Sequence, residues 1–354
     1  MAINIFLLIL FGLVALYSLQ INIENPDFTL LKRQVIFLIV GLVFYLFFSY
    51  INYHVWGDYY KVILLVTFFL LGLVLVLGIT IGGTKGWLGF LGQTFQPVEL
   101  AKLSLVIFLS RYFSQHAKDV YLMRYVIISG LITAPLIFLV ILQPDLGSAV
   151  ILMITWLVMV IFLPLRKKYY LGMIMMIIVL LAASWLFVFK DYQRERILTF
   201  IQPQRDPLGA GYNVKQSIVA VGSGSLIGRG LSLGSQSQLN FLPAQETDFI
   251  FAVIAEEMGF VGAGFLLFLF FSLFYRLTKN VKQTQEGFGT FLIVGIMTFM
   301  VAQLFINIGM NMGVSPVTGL PLPLVSYGGS ALISSLIALG IIQNIYIKNK
   351  EKNF

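Results

Sequence analysis

The 354-residue chain contains no cysteine, which removes disulfide frameworks, iron–sulfur clusters and thiolate nucleophiles. Histidine is nearly as scarce. His54 and His116 are the only two, so a histidine zinc site or a Ser/His/Asp triad has almost no material to work with. Charge is thin as well: Asp, Glu, Lys and Arg make up 11% of the chain, where a soluble domain carries about a quarter. Any chemistry must therefore rest on carboxylates, Lys/Arg and the backbone. What is abundant is apolar, with 59% hydrophobic residues and a mean hydropathy of +0.93. Soluble globular, disordered and fibrous classes are excluded, and a polytopic membrane protein remains.

Apolar windows near the length of a bilayer crossing predict ten transmembrane helices: 2–20, 34–53, 61–81, 98–112, 125–142, 147–164, 169–189, 249–275, 288–311 and 329–347. The first lacks a basic leader and a small-residue cleavage site, so it reads as a retained helix. With both termini cytoplasmic, the inner loops and tail hold thirteen Lys/Arg, and the short outer loops hold only Lys32, Arg33 and Lys85. Six more lie in one long extracellular loop, 190–248, between helices seven and eight. The positive-inside rule favours this orientation. Most of the net charge of +8 is then a topology signal, and no nucleic-acid partner is expected. The predicted architecture is all-α, a single integral membrane domain over 1–354 with one elaborated outer face. Within the long loop, VKQSIVAV reads as a short amphipathic helix on the membrane face. The Gly-rich GSGSLIGRG (222–230) lacks the Lys-Ser/Thr ending of a P-loop.

Carboxylates stand where the loop becomes the eighth span. Asp248 is either a helix N-cap or a general base at the water–lipid boundary. Glu256 is eight residues on, about 12 Å along the axis and about 80° around it. Glycosidase pairs sit about 5–5.5 Å or about 6.5–9.5 Å apart, so this helix does not supply such a pair by itself. A lone carboxylate suits a transfer that deprotonates one hydroxyl and expels an already anionic leaving group such as pyrophosphate. Glu256 and Glu257 lie further into the span, where an unpaired acid costs about 2.5–3.5 kcal/mol. Structural pairing is the favoured reading for both.

Elsewhere, Glu99 and Lys102 in QPVELAK are three apart on one helix face, which suits an internal ion pair or a Lys102 contact to an anionic substrate. Asp145 in QPDLG is a natural N-cap. Arg33 snorkels at the outer start of span two or clamps phosphate. The stretch GMNMGVSPVTGLPLPLVSYGGSALI (309–333) holds three prolines and five glycines, and non-helical backbone at membrane depth must be buried in protein or line a cavity. Its N–H groups, with Ser326, Gly328 and Gly329, are candidates for cradling phosphate oxygens, against a packed turn without ligand. Further phosphate contacts are sought among Arg194, Arg196, Lys215 and Arg229, with Arg33 and Lys102 placed first.

QPVELAK, QPDLG, LPAQETDFIFAVIAEEMG and NIGMNMGVSPVTGLPLPLVSYGGSA together resemble the SEDS family (shape, elongation, division and sporulation) of bacterial wall synthesis. The resemblance covers nearly the whole chain. SQSQLNFLP is similar to the RodA elongation branch rather than the FtsW division branch. One departure is Glu246, where the family often has His; it sets a second negative charge beside Asp248. The resemblance implies a peptidoglycan glycosyltransferase that polymerises lipid II at the outer leaflet of the cytoplasmic membrane, with Asp248 as the essential acid. It also implies a divalent cation (Mg2+ or Mn2+) with no metal site readable in the sequence. The implied partners are membrane lipids, a class B penicillin-binding protein transpeptidase and the elongation machinery. A lipid II flippase or other transporter is the alternative from another class, and a non-catalytic scaffold is a third.

Overall fold

The computed structural model describes residues 1–21, 27–90, 92–116, 123–165, 169–170, 172, 194–195, 198–200, 202, 209–239, 241–284 and 286–352. The helices in chain order are α1 (Ala2–Gln20), α2 (Thr29–Tyr50), the short α3 (His54–Asp58) and α4 (Tyr60–Leu77). Strands β1 (Ile79–Ile81), β2 (Thr84–Phe90) and β3 (Gln93–Phe95) follow. Then come α5 (Pro97–Gln115), α6 (Met123–Leu142), α7 (Leu146–Ile161), α8 (Ala210–Ser223), α9 (Ser235–Gln238), α10 (Ile250–Gln283), α11 (Gly287–Asn311) and α12 (Gly329–Lys352). Seven of these are long and apolar enough to cross a membrane: α1, α2, α4, α6, α10, α11 and α12. The chain is a multi-pass membrane protein. The expected fourth and sixth spans correspond to α5 and α7, and the expected seventh, 169–189, falls mostly outside the described residues.

The all-α expectation needs a correction. α4 ends at Leu77 because Gly78 turns extended (ψ 143), and Ile79–Ile81 opens an antiparallel three-stranded meander in the order β1-β2-β3. Ile81 pairs with Thr84 across Gly82 and Gly83, both at positive φ (58° and 81°). That is the two-residue hairpin turn that Gly-Gly supplies without a Cβ penalty. β2 then pairs with β3, Leu88 opposite Phe95.

Two apolar cores hold the helices. One joins α1, α10, α11 and α12, and the other joins α4, α5, α6 and α7. α5 lies between them and is buried on nearly every side. Encasement by protein explains how it carries Glu99, Lys102 and several serines, since polar groups within a membrane domain need protein partners. Pro97 stands at its first position after an extended Gln96, where a missing N–H costs nothing.

α10 is broken. Gly259 has φ 66° and ψ −166°, and a Cβ there would stand 2.2 Å from Gly228 N. The groups freed by the break are taken up by the loop after α8. Arg229 N and Gly230 N donate to Glu256 O and Glu257 O, each at 3.0 Å. In return Phe260 N and Val261 N donate to Ser225 O (2.9 Å) and Leu226 O (3.1 Å). Gly224 and Gly228 of GSGSLIGRG thus serve close backbone approach, and the long loop is stitched to a spanning helix.

Candidate functional site

The polar chemistry gathers at one end of the bundle, where α1, α6 and α11 end and α5, α7, α10 and α12 begin. Asp248 lies two residues ahead of α10 and is partly exposed. The N-cap position of α10 is Phe249, one residue beyond the Asp248 expected there. What fixes Asp248 is its backbone. Its carbonyl accepts from Asn307 Nδ2 (2.9 Å) and Asn311 Nδ2 (3.0 Å), two fully buried amides one turn apart on α11. Asn307 Nδ2 also donates to Leu320 O at 2.7 Å. Asn311 Oδ1 accepts from Ala252 N at 3.1 Å, and Asn311 O accepts from Ser217 Oγ of α8 at 2.8 Å. Two side chains therefore tie α8, α10, α11 and the 312–328 loop together around one carboxylate-bearing residue.

That loop closes over the same spot. A Cβ on Gly319 would stand 3.6 Å from Asp248 Oδ2. Ser326 Oγ donates to Thr247 O at 2.5 Å, and Tyr327 N donates to Glu246 O at 2.9 Å. Buried Gln34 bridges the loop to α2, donating to Ser326 O and accepting from Gly328 N, both at 3.2 Å. The N–H groups of residues 325–328 all have internal acceptors. The N–H groups of Ser326 and Gly328, expected to cradle phosphate, hold the turn in this structure. Gly329 packs against the Phe37 ring, where a Cβ would meet carbons at 2.8 Å.

A second polar group lies behind the loop. Lys102 Nζ and Glu99 Oε1 are 2.7 Å apart with both side chains buried, and Glu99 Oε2 accepts from Ser334 Oγ at 2.9 Å. Asp145, in the turn between α6 and α7, caps α7 through Ser148 N (2.9 Å) and receives Gln96 Nε2 at 3.5 Å. Burial pushes the Asp145 carboxyl up, Glu99 adds to the rise, and Ser148 with Lys102 partly offsets it. Gln96 N in turn donates to Ser330 Oγ (3.0 Å). Glu99 and Lys102 through Ser334, and Asp145 through Gln96 and Ser330, are thus tied to the first turns of α12.

Three candidates are not gathered there. Arg33 is exposed on α2 beside Gln34, at the rim. Lys215 is exposed on α8, two residues from buried Ser217 and so on another face. Arg229 is exposed beside the Gly259 break, with Nη1 3.1 Å from Ser235 Oγ. Arg196 lies outside the described residues. Sequence reasoning missed Asn307, Asn311, Gln34 and Gln96. Its usable signal was a pair of amides four apart within an apolar run, which must meet partners.

Glu256 and Glu257 are structural, and their partners are N–H and hydroxyl groups rather than a cation. Glu256 accepts from Gln236 N (2.8 Å) and Ser237 N (3.0 Å) at the start of α9. Glu257 accepts from Ser18 Oγ at 2.6 Å and Ser232 N at 3.2 Å. Among the described residues no three Asp, Glu, His or Cys converge. The described chain thus offers no resident cage for Mg2+ or Mn2+, although Mg2+ commonly binds through one or two carboxylates plus substrate phosphates.

Spanning helices with a carboxylate held at their mouth define an integral membrane protein. The sequence model of the family described as "Cell cycle protein" (FtsW, RodA, SpoVE) matches residues 1–351. The chain belongs to this family. Its relatives include the peptidoglycan glycosyltransferase MrdB of Escherichia coli K12, 37% identical over 97% of this chain and 93% of the relative. A chain described under "Structural coordination of polymerization and crosslinking by a peptidoglycan synthase complex" superposes with TM-score 0.82 at 31% identity, covering 98% of this chain and 97% of that one. Thermus thermophilus rod shape determining protein RodA superposes with TM-score 0.72 at 28% identity, covering 98% and 96%.

Proposed function

We propose that this glycosyltransferase polymerises lipid II into glycan strands on the outer face of the bacterial cytoplasmic membrane, within the machinery of cell elongation. The observation that carries the reading is Asp248: partly exposed at the mouth of α10 and fixed through its own carbonyl by two buried amides. Its carboxylate takes the proton from the 4-hydroxyl of one GlcNAc as that oxygen bonds to C1 of MurNAc on a second chain. The C1–O bond to phosphate breaks, its electron pair leaves with undecaprenyl pyrophosphate, and the anomeric centre inverts from α to β. The leaving group departs anionic and needs no acid partner, so Asp248 suffices as the single acid–base group. A divalent cation would arrive with the pyrophosphate. Lys102 and Arg33 remain the favoured phosphate contacts, Lys102 reaching substrate only if the loop over it opens.

A class B penicillin-binding protein transpeptidase is the proposed partner, supported by the similar chain from a complex joining polymerisation to crosslinking. The test is purified protein in liposomes given lipid II. Glycan chains from wild type and a loss of about 10²–10⁴-fold in a folded Asp248→Asn variant are expected for a lost general base. Lipid II crossing the bilayer without polymer would favour the flippase reading, and undiminished polymerisation by the variant would remove Asp248 from the mechanism.

A further inference from the structure

The loop joining α8 to α9 is unlike a water-facing loop. Leu226 (70% exposed), Ile227 (82%), Leu231 (50%) and Leu233 (68%) project outward within eight residues. The backbone of Ser225, Leu226, Arg229 and Gly230 is meanwhile paired inward with the broken α10, and Ser232 N with Glu257. Two observations fix the height of this segment along the bundle. The loop is paired to α10 at 256–261, and exposed Phe260 and Val261 begin the outward apolar face that α10 continues through Phe265, Phe268 and Phe271. Ser232 N also meets Ser18 Oγ at 2.8 Å. Ser18 is next to Tyr17, whose ring stacks on Phe28 with centroids 5.8 Å apart. Tyr is the kind of residue that sits at the boundary of headgroups and hydrocarbon.

We infer that residues 225–233 form a membrane-inserted wedge, which seats its leucines and isoleucine in the acyl layer of the leaflet on the Asp248 side. The partner is the phospholipid bilayer itself. The lipid-facing surface of α10 runs without interruption onto Leu226 and Ile227, so the same hydrocarbon that covers Phe260 covers them. Non-helical backbone is tolerated at that depth where it is paired with protein, as Ser225 O, Leu226 O, Arg229 N and Gly230 N are with α10. Arg229, on the same loop, keeps its guanidinium on Ser235 Oγ and Ser223 O, while its stem follows the apolar surface. Asp248 stands eight residues before Glu256, about 12 Å further out along α10. The wedge therefore sets the height of the site over the lipid.

The cysteine-free chain makes the test direct. Ile227→Cys, and separately Leu231→Cys, are labelled with the polarity-sensitive fluorophore NBD in purified protein. Each is placed in vesicles of phosphatidylcholine and phosphatidylglycerol, with and without lipid spin-labelled near the top of the acyl chain. Thr94→Cys, exposed in β3, serves as the aqueous reference. Lipid spin labels should quench both wedge positions, and iodide should quench them at least about threefold less than position 94, as for a segment buried past the headgroups. Iodide quenching equal to that at position 94, with no response to spin-labelled lipid, would overturn the wedge. A loop reserved for a protein partner gives that second result in protein alone. Retained thermal unfolding in either variant is enough to read the experiment.

Discussion

Replacing Asn307 with leucine keeps the branching of the side chain but removes both hydrogen bonds that its amide donates, to Asp248 O and Leu320 O. Asp248 O keeps Asn311 Nδ2. Leu320 O loses the bond given to it by Asn307, and a buried group left unsatisfied costs about 1–3 kcal/mol. The fold should survive with a lowered melting temperature. The effect on chemistry is indirect, since Asn307 holds the backbone that carries the proposed base. A displacement of about 1 Å in a reacting group costs on the order of 100-fold. The expected fall in lipid II polymerisation rate is therefore about 10- to 100-fold, smaller than for Asp248→Asn. The decisive measurement is a cycle of the two single variants and the double, each reconstituted and assayed by the length and amount of glycan formed. If Asn307 acts through Asp248, adding Asn307→Leu to Asp248→Asn should cost less than about twofold more. Undiminished polymerisation by Asn307→Leu, or a full independent loss in the double variant, would refute the positioning role.

Gly259→Ala should destabilise the protein by more than the roughly 1–2 kcal/mol of a left-handed alanine, because its Cβ would also meet Gly228 N at 2.2 Å. Hydrogen exchange at 225–230 should rise first. Lys102→Ala should cost about 3–5 kcal/mol by leaving Glu99 buried and uncompensated, and a Glu99→Gln/Lys102→Met double variant should recover part of it in thermal unfolding. Asp145 has a raised folded pKa. Its carboxyl therefore supports the fold fully below the unfolded value of 3.8 and loses that support as pH rises through the folded pKa. Asp145→Asn should accordingly gain melting temperature over wild type at pH 8, and the gain should vanish near pH 4.

Much of this architecture was legible because hydropathy is a length signal. The first span is placed at 2–20 by sequence and α1 occupies Ala2–Gln20. α11 and α12 begin within a residue of their expected starts. The meander was not seen, although Gly82-Gly83 is a hairpin turn in plain view, because Ile79–Ile81 reads as the tail of an apolar run. Likewise α10 reads as one continuous span, since nothing local says that Gly259 will be held at positive φ by a loop thirty residues earlier in the chain. Asp248 could be picked out by its place at the loop–helix boundary. Its support by Asn307 and Asn311 could not, because contacts across about 60 residues of sequence come from packing. Glu256 and Glu257 were rightly given to structure, but their partners are backbone N–H groups and serines that composition does not pair.

Asn311 has a consequence for how the outside of the cell could reach the reaction. Through Ser217 on one side and the Asp248 carbonyl on the other, it makes α8 the long arm of a lever only two hydrogen bonds in length. A shift of α8 would therefore be passed to the Asp248 backbone through two hydrogen bonds, without any contact to the Asp248 carboxylate itself.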